Sequence, residues 1–387
     1  MNPEPMRVVV VGALFGQVYL RAFGLPGLPF ELAGILARGS ERSRGVADHH
    51  GVPLFTDIDQ IPDDVRMACV VVRGGLLGGP GVELSKALMA RGIHVIQEHP
   101  LHHDELADCL REARRQRVTY HLNPFYTNTA PVRRFIGAAT ALLRKQRPLY
   151  LDAACGFQVA YSLLDIIGQV LGKVRPWSLG ELAPAPADLA HVTDLDVPFR
   201  SLDGVIGGVP VTLRIQNQMD PADPDNYAHL MHRVILGTEA GNLELVGTHG
   251  PVVWSPRPDF PRAVRDPAAD PHFDYRNPDA EALASHLEVP SAGVLGPAAT
   301  PGYREIFESV WPAGVAHALL RLRRDALAGD PASRRGQYHL TLCQLWQDIT
   351  ARLGPPELVK APPPTLLDAG AIAELERAGL EAEKAAP

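Results

Sequence analysis

No run of about eighteen consecutive apolar residues occurs in the chain, so no membrane-spanning helix is expected. Cysteine is scarce. Cys69, Cys109, Cys155 and Cys343 stand far apart with no C-x-x-C pair, so neither a disulfide frame nor a metal site is expected, and reduced thiols point to the cytoplasm. Positive charge is not in excess: 37 Lys and Arg face 44 Asp and Glu, and a net charge of −7 argues against nucleic acid or an anionic membrane as the main partner. The N-terminus runs from Met1-Asn2-Pro3-Glu4-Pro5 into a strand pattern without the two regions of a signal peptide. No internal repeat is visible. What is present is ordinary for a globular chain: 387 residues, 46% apolar and 21% charged, enough for two or perhaps three domains. The 35 glycines and 36 prolines argue for many ordered loops.

The chain opens on a buried strand at 7–11 (R-V-V-V-V), the turn Gly12-Ala13-Leu14-Phe15-Gly16 and a helix to about residue 23. Strand, glycine turn and helix open a dinucleotide-binding unit, in which a pyrophosphate rests at the start of the helix. The fingerprint is imperfect. G-x-G-x-x-G would place glycines where Leu14 and Gln17 stand, and Gly12 and Gly16 fit it only if the turn is one residue shorter.

A second strand, 30–37, ends in Arg38-Gly39-Ser40-Glu41-Arg42. An NAD enzyme would carry an acid at this strand end for the ribose hydroxyl. Here Arg38, Gly39, Ser40 and Arg42 offer donors that suit the 2′-phosphate of NADP, with Glu41 a small argument against. A helix at 43–50, short strands at 52–55 and 67–72, and a glycine-rich loop from Arg73 and Gly74 to Gly81 follow, then a helix at 82–91. That loop lets the backbone approach a ligand closely.

Residues 93–104 read I-H-V-I-Q-E-H-P-L-H-H-D. The β-branched start fills a strand, and Pro100 ends it because it has no N–H for a ladder. Ligands of open α/β sheets bind beyond the carboxyl ends of strands, so Glu98 and His99 point a carboxylate and an imidazole into the crevice. A helix at 104–116 and a strand at 117–122 lead to Asn123-Pro124-Phe125-Tyr126, which brings Tyr126 to the same side of the sheet as His99. His102 and His103, like His49 and His50, read as solvated faces. Beyond a helix at 129–145 come an apolar helix at 160–171 carrying Asp165 and turn-separated alternating segments between 203 and 254, the pattern of a largely antiparallel sheet. Helical patterns cover 300–328 and 337–352, and an Ala/Glu-rich peripheral helix ends the chain.

The glycine turn, E-H-P at 98–100, Tyr161, Asp165 and Gly172 at their spacing, and I-L-G-T-E-A-G-N-L-E-L at 235–245 resemble the glucose–fructose oxidoreductase/inositol dehydrogenase (Gfo/Idh/MocA) family over nearly the whole chain. The resemblance implies an α/β protein: a Rossmann-type NAD(P)-binding domain (1–123), an α/β domain with an open, mainly antiparallel sheet for substrate and dimerisation (124–360), and a peripheral tail (361–387). The family motifs are E-K-P and, on the later helix, H-x-x-D. Here His99 replaces the lysine and Ser162 the histidine, which counts against sugar-alcohol oxidation. Within the family, G-A-L-F-G-Q-V-Y-L-R-A-F, A-R-G-S-E-R-S, Q-E-H-P-L-H and N-P-F-Y-T-N look like the thiazolinyl imine reductases of siderophore assembly.

That resemblance implies NADPH-dependent reduction of a thiazoline C=N on an intermediate tethered to the carrier domain of a nonribosomal peptide synthetase. It makes His99 and Tyr126 the proton donors, with Glu98 placing the cofactor or orienting the site. The rival readings are a sugar or cyclitol dehydrogenase and a non-catalytic dinucleotide-binding regulator. The open sheet face calls for a cover, and a homodimer is expected through it.

Overall fold

The structure is a computed structural model that describes residues 4–384 apart from 73–78, 185–188, 196, 225, 259–288, 331–332 and 364. Strand β1 (Met6–Val11) is a valine run whose last four residues are buried, as a strand covered on both faces requires. It is followed by α1 (Gly16–Ala22), β2 (Phe30–Leu36), α2 (Glu41–His50), β3 (Leu54–Phe55), β4 (Met67–Val70), α3 (Gly81–Ala90), β5 (His94–Glu98), α4 (His103–Gln116) and β6 (Tyr120–Asn123). These strands form one parallel sheet in the order β3-β2-β1-β4-β5-β6. Strand order reverses between β1 and β4, and a crevice opens at such a switch point.

Two expectations shift here. The strand expected from residue 117 begins at Tyr120, because Arg117 takes a left-handed conformation (φ 58°) and caps α4. His102 is the N-cap of α4, half-buried beside the Trp346 ring, and so is not a solvated residue.

After α5 (Ala130–Leu143), with Pro131 in its first turn, the second sheet starts at β7 (Pro148–Gly156) and is followed by α6 (Ala160–Leu171). Then come β8 (Trp177–Leu182), β9 (Phe199–Ile206), β10 (Val209–Gln216), β11 (Gln218–Met219), β12 (His232–Thr238), β13 (Gly241–Leu245), β14 (Val252–Pro256) and β15 (Gly293–Val294). Eight strands pair in the order β15-β14-β13-β12-β7-β10-β9-β8, and every pairing is antiparallel except β7 with β10. Strands β7 and β8 carry no alternation in their sequence. Ala153 and Ala154 are small residues buried in the middle of the sheet, where packing rather than propensity sets the strand.

A π-helical turn at Ile306–Val310 interrupts the helical pattern expected from 300 and leads into α7 (Trp311–Leu327), which packs on α1. Helix α8 (Ser333–Leu353) packs on α4 and α6. The chain then adds β16 (Glu357–Leu358) beside β11 and ends in the exposed helix α9 (Ala369–Lys384). Helices α7 and α8 therefore return to the first sheet and clamp the second domain against it. Among the described residues, no helix is long and apolar enough to cross a membrane.

Candidate active site at the strand ends

The glycine turn lies against the end of β4. A Cβ on Gly12 would sit 2.5 Å from the Val71 carbonyl oxygen, and its φ of +106° suits glycine. A Cβ on Gly16 would touch Val10 at 3.4 Å. Among the described residues, the amides of Ala13, Leu14, Phe15 and Gly16 take no backbone acceptor, so the turn offers free donors where a pyrophosphate would lie. Helix α1, at seven residues, is short for a strong dipole, and the turn amides carry the fit. Phe15 turns inward, packing edge-on against Phe125 at 5.2 Å.

At the end of β2, Arg38 and Arg42 are exposed and make no ion pair among the described residues. Gly39 has positive φ, and the Ser40 hydroxyl caps α2 by accepting from the Ser43 amide at 3.2 Å. Arg73 and Gly74 lie outside the described residues.

Glu98 and His99 leave β5 at the crevice. His99 Nδ1 is 3.0 Å from the Asn123 carbonyl oxygen and 3.1 Å from Glu98 Oε1. Both neighbours are acceptors, so Nδ1 carries the proton; this tautomer is assigned from the partners. Nε2 is thereby left as the acid–base atom. The imidazole lies over the Tyr161 ring, with centroids 5.5 Å apart. Glu98 is held in turn. Its Oε2 accepts from the Tyr19 hydroxyl and, at 3.4 Å, from Asn123 Nδ2, which also donates to the Tyr19 oxygen at 2.5 Å. Burial and the Glu98 charge raise the Tyr19 phenol well above its ordinary range, so it stays a protonated donor.

Tyr126 follows from the same corner. Asn123 Oδ1 accepts from the Phe125 amide at 3.2 Å and from Asn128 Nδ2 at 2.8 Å. That clamp holds Phe125 at φ 60°, ψ −71°, a conformation costly for a non-glycine residue. Tyr126 is 9% exposed, and its ring stands edge-on to Phe125 and to His232, each at 5.0 Å. Tyr126 borders His232, whose ring the field of His99 reaches. Asp165 is fully buried, accepts from Tyr338 (2.9 Å) and Gln169 (2.8 Å), and burial raises its carboxyl. It buttresses α6 against α8.

Sequence reading missed Tyr19, Asn123 and His232 as parts of the site. The first reads as a core residue of α1 and the last as one alternating strand position, with no local signal in either case.

A Rossmann-type domain with a glycine turn, joined to an open, mainly antiparallel sheet with a carboxylate–imidazole pair at the junction, defines a two-domain NAD(P)-dependent oxidoreductase. Residues 6–123 match the oxidoreductase family with NAD-binding Rossmann fold, and residues 146–255 match the C-terminal domain of Irp3-like thiazolinyl imine reductases. The first domain thus belongs to the Gfo/Idh/MocA oxidoreductase family, and the second is of the Irp3-like kind.

Solved structures of similar fold include a dehydrogenase from Chromobacterium violaceum (TM-score 0.62, 13% identity, covering 98% of this chain and 99% of that one). GenD2 from gentamicin A biosynthesis, in complex with NAD, is similar at TM-score 0.60 and 14% identity over 93% of this chain and 98% of its own. KijD10, a 3-ketoreductase from Actinomadura kijaniata in complex with NADP and TDP-benzene, has TM-score 0.60 and 15% identity over 92% of this chain and 100% of its own. At such identities these likenesses concern the fold alone. The search of curated proteins gives no sequence match.

Proposed function

We propose that this protein uses NADPH to reduce a thiazoline C=N to a thiazolidine, on an intermediate tethered to the carrier domain of a nonribosomal peptide synthetase in siderophore assembly. The observation that carries this reading is the Irp3-like second domain joined to a Rossmann domain whose E-K-P lysine is His99. The turn from Gly12 to Gly16 would hold the pyrophosphate, and Arg38, Ser40 and Arg42 would receive the 2′-phosphate. When bound, the reduced nicotinamide supplies the hydride.

Reduction of C=N leaves a basic nitrogen that needs one proton. His99 delivers it from Nε2 in the imidazolium form, while Glu98 and the Asn123 carbonyl hold Nδ1–H and stabilise the charge before transfer. A histidine suits this better than lysine, because its ordinary pKa of about 6.5 lies near neutrality. Tyr126, packed beside His232, is the second donor. A sugar or cyclitol substrate fits less well, since Ser162 replaces the helix histidine as well. The polar face of the second sheet is the surface for a second copy of the chain, and the carrier domain is its partner in the cytoplasm.

The test is consumption of NADPH with a hydroxyphenyl-thiazoline thioester and with the carrier-loaded intermediate. Turnover is expected, and His99→Ala should lower kcat roughly 10²- to 10⁴-fold. NADP⁺ reduction by sugar alcohols without imine turnover would instead make it a dehydrogenase. Dinucleotide binding with no turnover on either would make it a regulator.

A further inference from the structure

We propose that Tyr19 is a positioning residue for the reaction, acting on His99 through Glu98; this rests on His99 being the proton donor. Tyr19 lies one turn into α1, the helix that starts at the glycine turn, and it has no exposed surface. Its hydroxyl donates to Glu98 Oε2, on the carboxylate edge away from His99, and accepts from Asn123 Nδ2 at 2.5 Å. The other edge, Oε1, faces His99 Nδ1 at 3.1 Å. The Glu98 and His99 side chains retain 13% and 7% exposure, so little water can substitute for a lost donor.

Without Tyr19, Glu98 keeps one weak contact on Oε2, at 3.4 Å from Asn123 Nδ2, and its carboxylate is free to rotate about its last bond. Rotation loosens one of the two acceptors on Nδ1 that select the His99 tautomer and leaves the Asn123 carbonyl as the other. The neutral ring left once Nε2 has given up its proton is the Nδ1–H form, so acceptors that hold Nδ1–H favour that transfer and keep the ring in one orientation. Tyr19 thus ties the ring's orientation to the helix that begins at the cofactor turn. No titration by Tyr19 itself is needed.

The test is Tyr19→Phe, which removes one oxygen and keeps the packing. NMR of protein labelled with ¹⁵N-histidine, with His99 assigned by its loss in His99→Gln, reads the tautomer without any turnover. Wild type should show Nδ1–H at His99, and Tyr19→Phe a mixture with Nε2–H. In the imine assay, kcat should fall roughly tenfold with a changed pH profile and an unchanged KM for dinucleotide. An unchanged His99 signal in a folded Tyr19→Phe protein overturns the proposal, as does a loss of kcat equal at every pH. A wild type that shows the tautomer change on substitution but reduces no imine keeps Tyr19's role and sinks the function proposed above.

Discussion

Ser162 Oγ lies 2.8 Å from Nε2 of His232, joining the first turn of α6 to the first residue of β12. The hydroxyl also donates to the Val159 carbonyl at 2.8 Å, and His232 Nδ1 is 2.9 Å from Thr248 Oγ1. The helix carries no imidazole at position 162, and the sheet brings one, His232, against that serine. Burial lowers its pKa to about 3, so it is a neutral ring that braces Tyr126 and is no proton source.

Ser162→Ala should therefore leave His232 Nε2 with only the Val159 carbonyl at 3.2 Å. The expected cost is about 1 kcal/mol in urea unfolding, with a few-fold loss of kcat as Tyr126 loses its brace. Unchanged stability and rate would mean that this contact positions nothing.

Stability should fall with acid, through buried histidines. Burial lowers His232 to about 3, and burial with Arg335 and Arg321 nearby lowers His121 to about 2, although Asp325 Oδ2 is 3.2 Å from its Nε2. In the unfolded chain these rings titrate near 6.5. Their contribution is complete above that pH and is lost as pH falls toward the folded values, at up to about 1.4 kcal/mol per pH unit for each ring. Urea midpoints compared at about pH 7 and about pH 5 check this, and His232→Gln should flatten the difference. A midpoint independent of pH across that window would remove the argument.

The exposed arginines at the end of β2 should set cofactor preference. Replacing Arg38 and Arg42 together by alanine is expected to weaken NADPH binding by roughly tenfold or more while leaving NADH almost unaffected. Fluorescence titration with both dinucleotides measures it. Equal losses for the two would assign these side chains to the shared part of the cofactor, or to stability.

Much of the fold could be read from local pattern. Val8 to Val11 could only be a buried strand, the Gly12 turn had to be tight, and the apolar run of α6 was bounded correctly at Ala160 and Leu171. Residues 73–78 of the glycine-rich loop, with Arg73 and Gly74, lie outside the described residues. Strand β7 escaped because alanines and a cysteine at its centre have no strand preference of their own; neighbours on both sides impose it. The π turn at Ile306–Val310 escaped because one extra residue in a helix leaves apolar spacing nearly intact.

By itself the sequence determined the order of strands and helices in the first domain, the place where Pro100 ends β5, and the presence of a carboxylate and an imidazole at that end, since these depend on neighbours in the chain. Only the tertiary structure decided what those groups do. Tyr19 reaches Glu98 across 79 residues, Asn123 clamps both His99 and the Phe125 corner, and His232 enters the site from another sheet. Hydrogen-bond partners far apart in the chain are chosen by packing in three dimensions, and no local pattern of residues records that choice.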